Sequence, residues 1–130
     1  MDENVVVSLE ELQILCREWQ LRLRVQDWNI EVRIWRQSQF KDNTLDGNVQ
    51  IWPDMKEAEI RVLDPPDAGD NRKWPFDMEK ILVHEMLHIL WDGVPNTSSQ
   101  EAEIAINMTT DALLELKRER GRCKCDADAE

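Results

Sequence analysis

The two histidines of this 130-residue chain lie four positions apart, in His84-Glu85-Met86-Leu87-His88. On a helix, four residues make about one turn, so both imidazoles project from one face about 6 Å apart. That separation lets two ring nitrogens bind a single tetrahedral Zn2+. Glu85 is too close to the first histidine along the helix to share the ion easily. It can instead reach a water in an open coordination position, where a carboxylate serves as general base. His84 and His88 are therefore candidate metal ligands, and Glu85 is the candidate catalytic residue. The rival reading is a chance motif in a metal-free adaptor. It must explain a charged Glu85 inside an apolar run with Leu82, Val83, Met86, Leu87, Ile89 and Leu90. Such a charge is costly without a partner or a task.

A catalytic zinc site normally has three protein ligands plus water. With no third histidine, the remaining ligand must be a carboxylate or a thiolate. Ser98-Ser99-Gln100-Glu101 reads as a capping box, opening a helix over Gln100 to Arg120. A short loop joins it to the motif helix, so the two should pack antiparallel with its first turns near the imidazoles. Glu101 and Glu103 are the candidates. Glu101 already has the capping role. Glu103 has none, begins the run Glu103, Ile106, Thr110, Leu113, and has Asn107 one turn on to hydrogen-bond a ligand carboxylate. Glu103 is preferred, with Glu101 as the alternative. Cys123-Lys124-Cys125 lacks histidine partners, and two thiols in a charged tail read as exposed cysteines rather than a soft-metal site.

The remaining elements must position these groups. Ser8-Leu9-Glu10-Glu11 is another capping box, and Leu9, Leu12, Cys16, Trp19 and Leu23 recur at steps of three and four. This predicts an amphipathic helix over 8–24 with Cys16 as a buried thiol. Residues 28–36 alternate, with Trp28, Ile30, Val32 and Ile34 on one side of a strand. A polar stretch over 37–46 ends in Asp46-Gly47. Residues 48–52 alternate again until Pro53, and 57–63 form a third strand with Ala58, Ile60 and Val62 inward. Short connections predict antiparallel pairing. Trp35 and Trp52 fall on the polar sides of their strands, marking either a binding face or places covered by a loop. Asp64-Pro65-Pro66 ends the sheet, 67–75 is loop, and Asp92-Gly93 closes the motif helix. The fold class is α+β: an N-terminal helix, a three-stranded mainly antiparallel sheet, the motif helix and a C-terminal glutamate helix. One domain is expected over 1–120, followed by a disordered acidic tail, 121–130.

With 42% apolar and 33% charged residues, the composition is that of a globular protein. A net charge of -11 argues against broad binding to nucleic acid or anionic membranes. The acidic start and the short apolar runs give no readable signal peptide or transmembrane segment. Three cysteines do not suggest a disulfide framework, and a reducing cytoplasm is expected.

These residues together resemble the gluzincin metallopeptidases, in the reduced size of the minigluzincins. They are also similar to small H-E-x-x-H proteins encoded in bacteriophages and prophages. That likeness runs through Asp46-Gly47-Asn48-Val49, Ala58 to Pro65, Val83 to His88 and Glu103 to Asn107, and covers roughly residues 8–118. It implies a minimal zincin-like fold, zinc bound by His84, His88 and a glutamate, and Glu85 as base and proton shuttle. It further implies that a rim strand, here 57–63, pairs with an extended peptide or protein substrate, and, for a phage-encoded chain, a place in the host cytoplasm. The chain departs from the family in having no tyrosine and no further histidine, so the usual extra donor to the developing oxyanion is missing. An arginine or the Trp74-to-Asp77 loop is what remains. The expected function is zinc-dependent peptide hydrolysis. The alternative is a non-catalytic zinc-binding protein-interaction domain, such as a phage-type accessory or assembly protein.

Overall fold

The structure is a computed structural model that describes residues 3–42 and 44–119 in full and 120–129 by backbone alone. The tail expected at 121–130, with Cys123 and Cys125, lies outside the fully described residues. The chain forms α1 (Leu9–Arg22), β1 (Asn29–Trp35), β2 (Gly47–Trp52), β3 (Glu57–Leu63), α2 (Met78–Trp91) and α3 (Ser99–Ala129), with single-turn 3-10 helices in three of the connections.

Helix α1 opens with the expected reciprocal cap. Glu11 N–H donates to Ser8 Oγ at 3.1 Å, and Ser8 N–H donates to the Glu11 carboxylate at 2.9 Å. Leu12, Cys16 and Trp19 are its buried stripe. Burial pushes the Cys16 thiol up to about 11, against the pull of Arg17, so it is an inert core group.

The strands lie in the order β1-β3-β2. β2 and β3 are antiparallel, from Gly47 opposite Val62 to Trp52 opposite Glu57. β1 and β3 are parallel, from Asn29 opposite Glu57 to Trp35 opposite Leu63. The mainly antiparallel sheet expected above is thus corrected to a mixed sheet, and strand 57–63, expected at the rim, is central. The connections explain both changes. Pro53–Met55 and Lys56, the latter in the left-handed region at φ 53, make a tight turn that forces β3 to fold back on β2. The β1–β2 connection, 36–46, is too long to enforce such neighbours. It is tied away from the sheet where Arg36 and the Gln37 N–H reach Asp67 at 2.7 and 2.8 Å. β3 therefore fills the place beside β1.

Ala58, Ile60 and Val62 point into one core with Leu12, Trp19, Leu82, Val83 and Met86, so the first two helices cover one face of the sheet. The opposite face is polar, with Arg61 paired to Glu59 at 2.8 Å and to Gln50 at 3.0 Å. Trp35 is covered there, with the Arg61 guanidinium 4.5 Å above its ring and Phe40 against its edge. Trp52 remains exposed. Asp77 caps α2, accepting from Lys80 N–H at 3.0 Å. Among the described residues, no helix is long and apolar enough to cross a membrane.

Candidate metal centre

Helix α2 buries Leu82, Val83, Met86, Leu87 and Ile89, and this rotation turns His84 and His88 outward toward α3. Their ring centroids are 5.1 Å apart with planes inclined at 64°. The second turn of α3 brings a carboxylate to both rings: Glu103 Oε2 is 3.0 Å from His84 Nε2, and Glu103 Oε1 is 3.1 Å from His88 Nε2. One donor atom from each of the three residues falls within 4.8 Å of the others. Zinc bonds of about 2.0–2.1 Å in a tetrahedron separate ligand atoms by about 3.3 Å, so the donor set and its spacing fit Zn2+. Burial drives the His84 pKa below its ordinary value, with the neighbouring His88 adding to the effect. Glu103 and Asn107 pull the other way. A neutral imidazole keeps a nitrogen lone pair for a metal.

Glu101, the alternative ligand, is engaged elsewhere. Its carboxylate accepts from Ser98 N–H at 2.9 Å while its own N–H donates to Ser98 Oγ at 3.0 Å. These bonds to Ser98 hold its pKa below the ordinary value.

The Glu85 carboxylate lies against the start of β2. The residue is only 8% exposed. Burial, and secondly the Glu103 charge, raise its pKa from 4.5 to about 8. Among the described residues no hydrogen bond reaches its carboxylate. Gly47 makes the room for it. A Cβ there would stand 3.4 Å from Glu85 Oε2, 2.9 Å from the Arg61 carbonyl oxygen and 2.5 Å from Ile81 Cγ2. A glycine was visible in the Asp46-Gly47 pair, but as a turn signal. Its real office, a close approach between strand and helix, follows only from the tertiary fold.

His84, His88, Glu85 and Glu103 line one open groove with a volume of about 1390 Å³. Its other walls are β2, including Gly47 and Val49, and the 67–75 segment, including Arg72 and Trp74. Strand 57–63 does not line it, so the sheet edge beside the site is β2. The sequence left an unnamed arginine or the Trp74-to-Asp77 loop as the missing oxyanion donor; the arginine that lines the groove is Arg72. Its three nitrogens are engaged with Asp46, the Ala68 carbonyl at 3.0 Å and, more loosely, the Trp74 carbonyl at 3.4 Å. Its guanidinium also lies 5.3 Å from the Phe76 ring centroid. Arg72 thus pins the 67–75 segment to the start of β2 at the groove rim. Asn107, expected to support the ligand carboxylate, lines the same groove and lies close enough to His84 to pull its pKa up.

Sequence reasoning passed over a second group of polar residues on the same two helices. Glu79 accepts from Trp19 Nε1 at 2.8 Å, from Arg118 at 3.2 Å and from Lys117. Arg118 also holds both oxygens of Asp77, at 2.8 and 3.2 Å. The signal was present in Asp77 and Glu79 at one end of α2 and Lys117 and Arg118 late in α3, but no local spacing links the two pairs. Compared with family models, with curated proteins and with solved structures, the chain matches none of them.

Proposed function

We propose that this protein is a zinc-dependent peptidase in which His84, His88 and Glu103 hold the ion and Glu85 is the general base. The observation that carries the reading is Glu85 itself. It is a buried carboxylate beside a His-His-Glu triad, without a hydrogen bond among the described residues and with its pKa raised to about 8. A purely structural zinc site has no use for such a group. Zinc, when bound, supplies a Lewis acid that polarises a carbonyl and acidifies water. Glu85 takes a proton from the attacking water and passes it to the leaving amine; the charge of a bound ion beside it would favour the ionised carboxylate that this role needs. The outer edge of β2, unpaired among the described residues, offers backbone groups to an extended peptide lying in the groove.

The test is a peptide-library cleavage screen with zinc-loaded wild type and Glu85→Gln. The wild type is expected to cleave, and the variant to keep its zinc and lose about 10²–10⁴-fold in turnover. Undiminished cleavage by the variant would sink the mechanism. One observation favours a second reading, a zinc-binding interaction domain of the phage accessory or assembly type: Arg72, the arginine that lines the groove, has each guanidinium nitrogen already bonded within the groove rim, to Asp46 and to the Ala68 and Trp74 carbonyls. Stoichiometric zinc without cleavage of any library member is the result that reading expects.

A further inference from the structure

The ion cluster between α2 and α3 sits at the opposite end of the helix pair from the three candidate ligands. Glu103 and Lys117 are about 21 Å apart along α3. Between them, α3 turns Ala102, Ile106, Thr110 and Leu114 toward the rest of the molecule, half-buried or buried, at a strict spacing of four. Within this seam a slide of four residues exchanges Ala, Ile, Thr and Leu contacts for one another, and only at its end does it set a charged residue, Arg118, where Leu114 stands. The Lys80–Asp111 bridge along the seam is exposed on both sides and adds little. A one-turn slide has a chemical consequence, however. It sets Asn107 or Ser99 where Glu103 stands, and the carboxylate leaves the imidazoles.

We propose that Glu79, Asp77, Lys117, Arg118 and Trp19 form a register lock that places Glu103, rather than the residue one turn away, against His84 and His88. The proposal rests on the metal-site reading for its purpose. Its geometry is independent of it. Every oxygen of Asp77 and Glu79 has a partner in the observed alignment. A slide one way brings Gly121 to the place of Lys117 and Arg122 to that of Arg118, so Glu79 loses its lysine; the other way brings Leu113 and Leu114, and Glu79 loses both cations. Buried ion pairs add little net stability over apolar packing, and their best-attested use is to select one register. Lys117 and Glu79 are therefore positioning residues, acting through Glu103.

The experiment compares wild type, Lys117→Met, Lys117→Arg and the double variant Glu79→Met/Lys117→Met in the full chain. Nitroxides attached through ketone-bearing amino acids at exposed positions 90 and 116 report the axial offset of α2 and α3 by pulsed electron resonance, and zinc affinity is titrated in parallel. One narrow distance is expected for wild type and Lys117→Arg. The double variant should add a population displaced by about 5 Å, with zinc bound about tenfold or more weaker. Lys117→Met should do the same to a smaller degree, and it serves if the double variant fails to fold. An unchanged distance distribution in the variants overturns the lock, whatever happens to affinity. Displaced distances in a protein whose wild type binds no zinc support the lock and overturn the metal-site reading.

Discussion

Two glutamates on α2, six positions apart, are almost equally buried, 6% exposed at Glu79 and 8% at Glu85, yet they titrate in opposite directions. Burial raises both. At Glu79 it is outweighed by the hydrogen bonds from Lys117, Trp19 and Arg118, and the pKa falls below 4.5. At Glu85 nothing opposes burial, the Glu103 charge adds to it, and the pKa rises to about 8. Removal from water therefore does not determine what a buried carboxylate does; its partners do. The partnered one holds helices together, and the unpartnered one is left able to take and give a proton. On the proposed reading the two ends of one helix are divided between scaffold and chemistry.

The contrast makes opposite demands on stability against pH. Glu85 has a folded pKa above its unfolded value, so its ionisation opposes folding. Stability present at low pH is lost as pH rises from about 4.5 to about 8. For metal-free protein this amounts to roughly 3 kcal/mol between pH 5 and pH 8. Urea unfolding across that range should show the decline in wild type and no decline in Glu85→Gln, where the lowered His84 pKa leaves a slight rise toward pH 6.5. A wild-type curve that likewise shows no decline would mean that Glu85 has a partner after all. Glu79 has the reverse sign: its contribution is complete above the unfolded pKa of 4.5 and disappears as pH falls through the lower folded value.

Removing the partnered carboxylate is the next largest effect. Glu79→Leu leaves Lys117 and Arg118 without one of their partners and Trp19 Nε1 without an acceptor. Loss of one member of a buried pair costs about 3–5 kcal/mol. The half-exposed cations, with Glu18 and Asp77 still nearby, bring the expectation to about 2–3 kcal/mol at pH 7. Denaturant midpoints at pH 7 and at pH 4 check it, and the gap between variant and wild type should narrow in acid. Glu103→Gln sharpens the comparison from the other side. It removes the second cause of the raised Glu85 pKa, so a carboxyl resonance of Glu85 followed by NMR should titrate at lower pH, while that of Glu79 stays in place.

Local pattern was legible in the residues because it is written between near neighbours. Both Ser-x-x-Glu caps, the alternation of the strands and the outward turn of His84 and His88 depend on spacings of two to four. Strand order was not legible, since the short 53–56 turn determines one pairing and the longer 36–46 connection leaves the other open. Glu101 and Glu103 were indistinguishable on a helical wheel. They part company in space because one carboxylate folds back to Ser98 N–H and the other meets two rings supplied by α2. The Glu79 cluster was hidden for a related reason: its members lie up to 99 positions apart, from Glu18 to Lys117.

Gly47 gives the smallest test, and the most local one, because it separates the room around Glu85 from its charge. Gly47→Ala keeps every charge in place but thrusts a methyl at the Arg61 carbonyl and Ile81 Cγ2. The carbonyl belongs to the central strand and cannot yield, so β2 must shift or Ile81 must leave its rotamer. Such overpacking costs about 1–3 kcal/mol. Gly93 is the control. Nothing lies within 4 Å of a Cβ there, and Gly93→Ala should change stability by no more than about 0.5 kcal/mol. Thermal midpoints of the two variants provide the measurement. If Gly47→Ala is as mild as Gly93→Ala, then strand and helix are not in contact at the start of β2, and the burial that raises Glu85 is shallower than its surroundings imply. If it is costly while the bonds of Trp19 and Lys117 to Glu79 persist, the damage stays at the unpartnered glutamate. The strand then holds Glu85 in its buried place at the groove wall without any help from the ion cluster at the other end of α2.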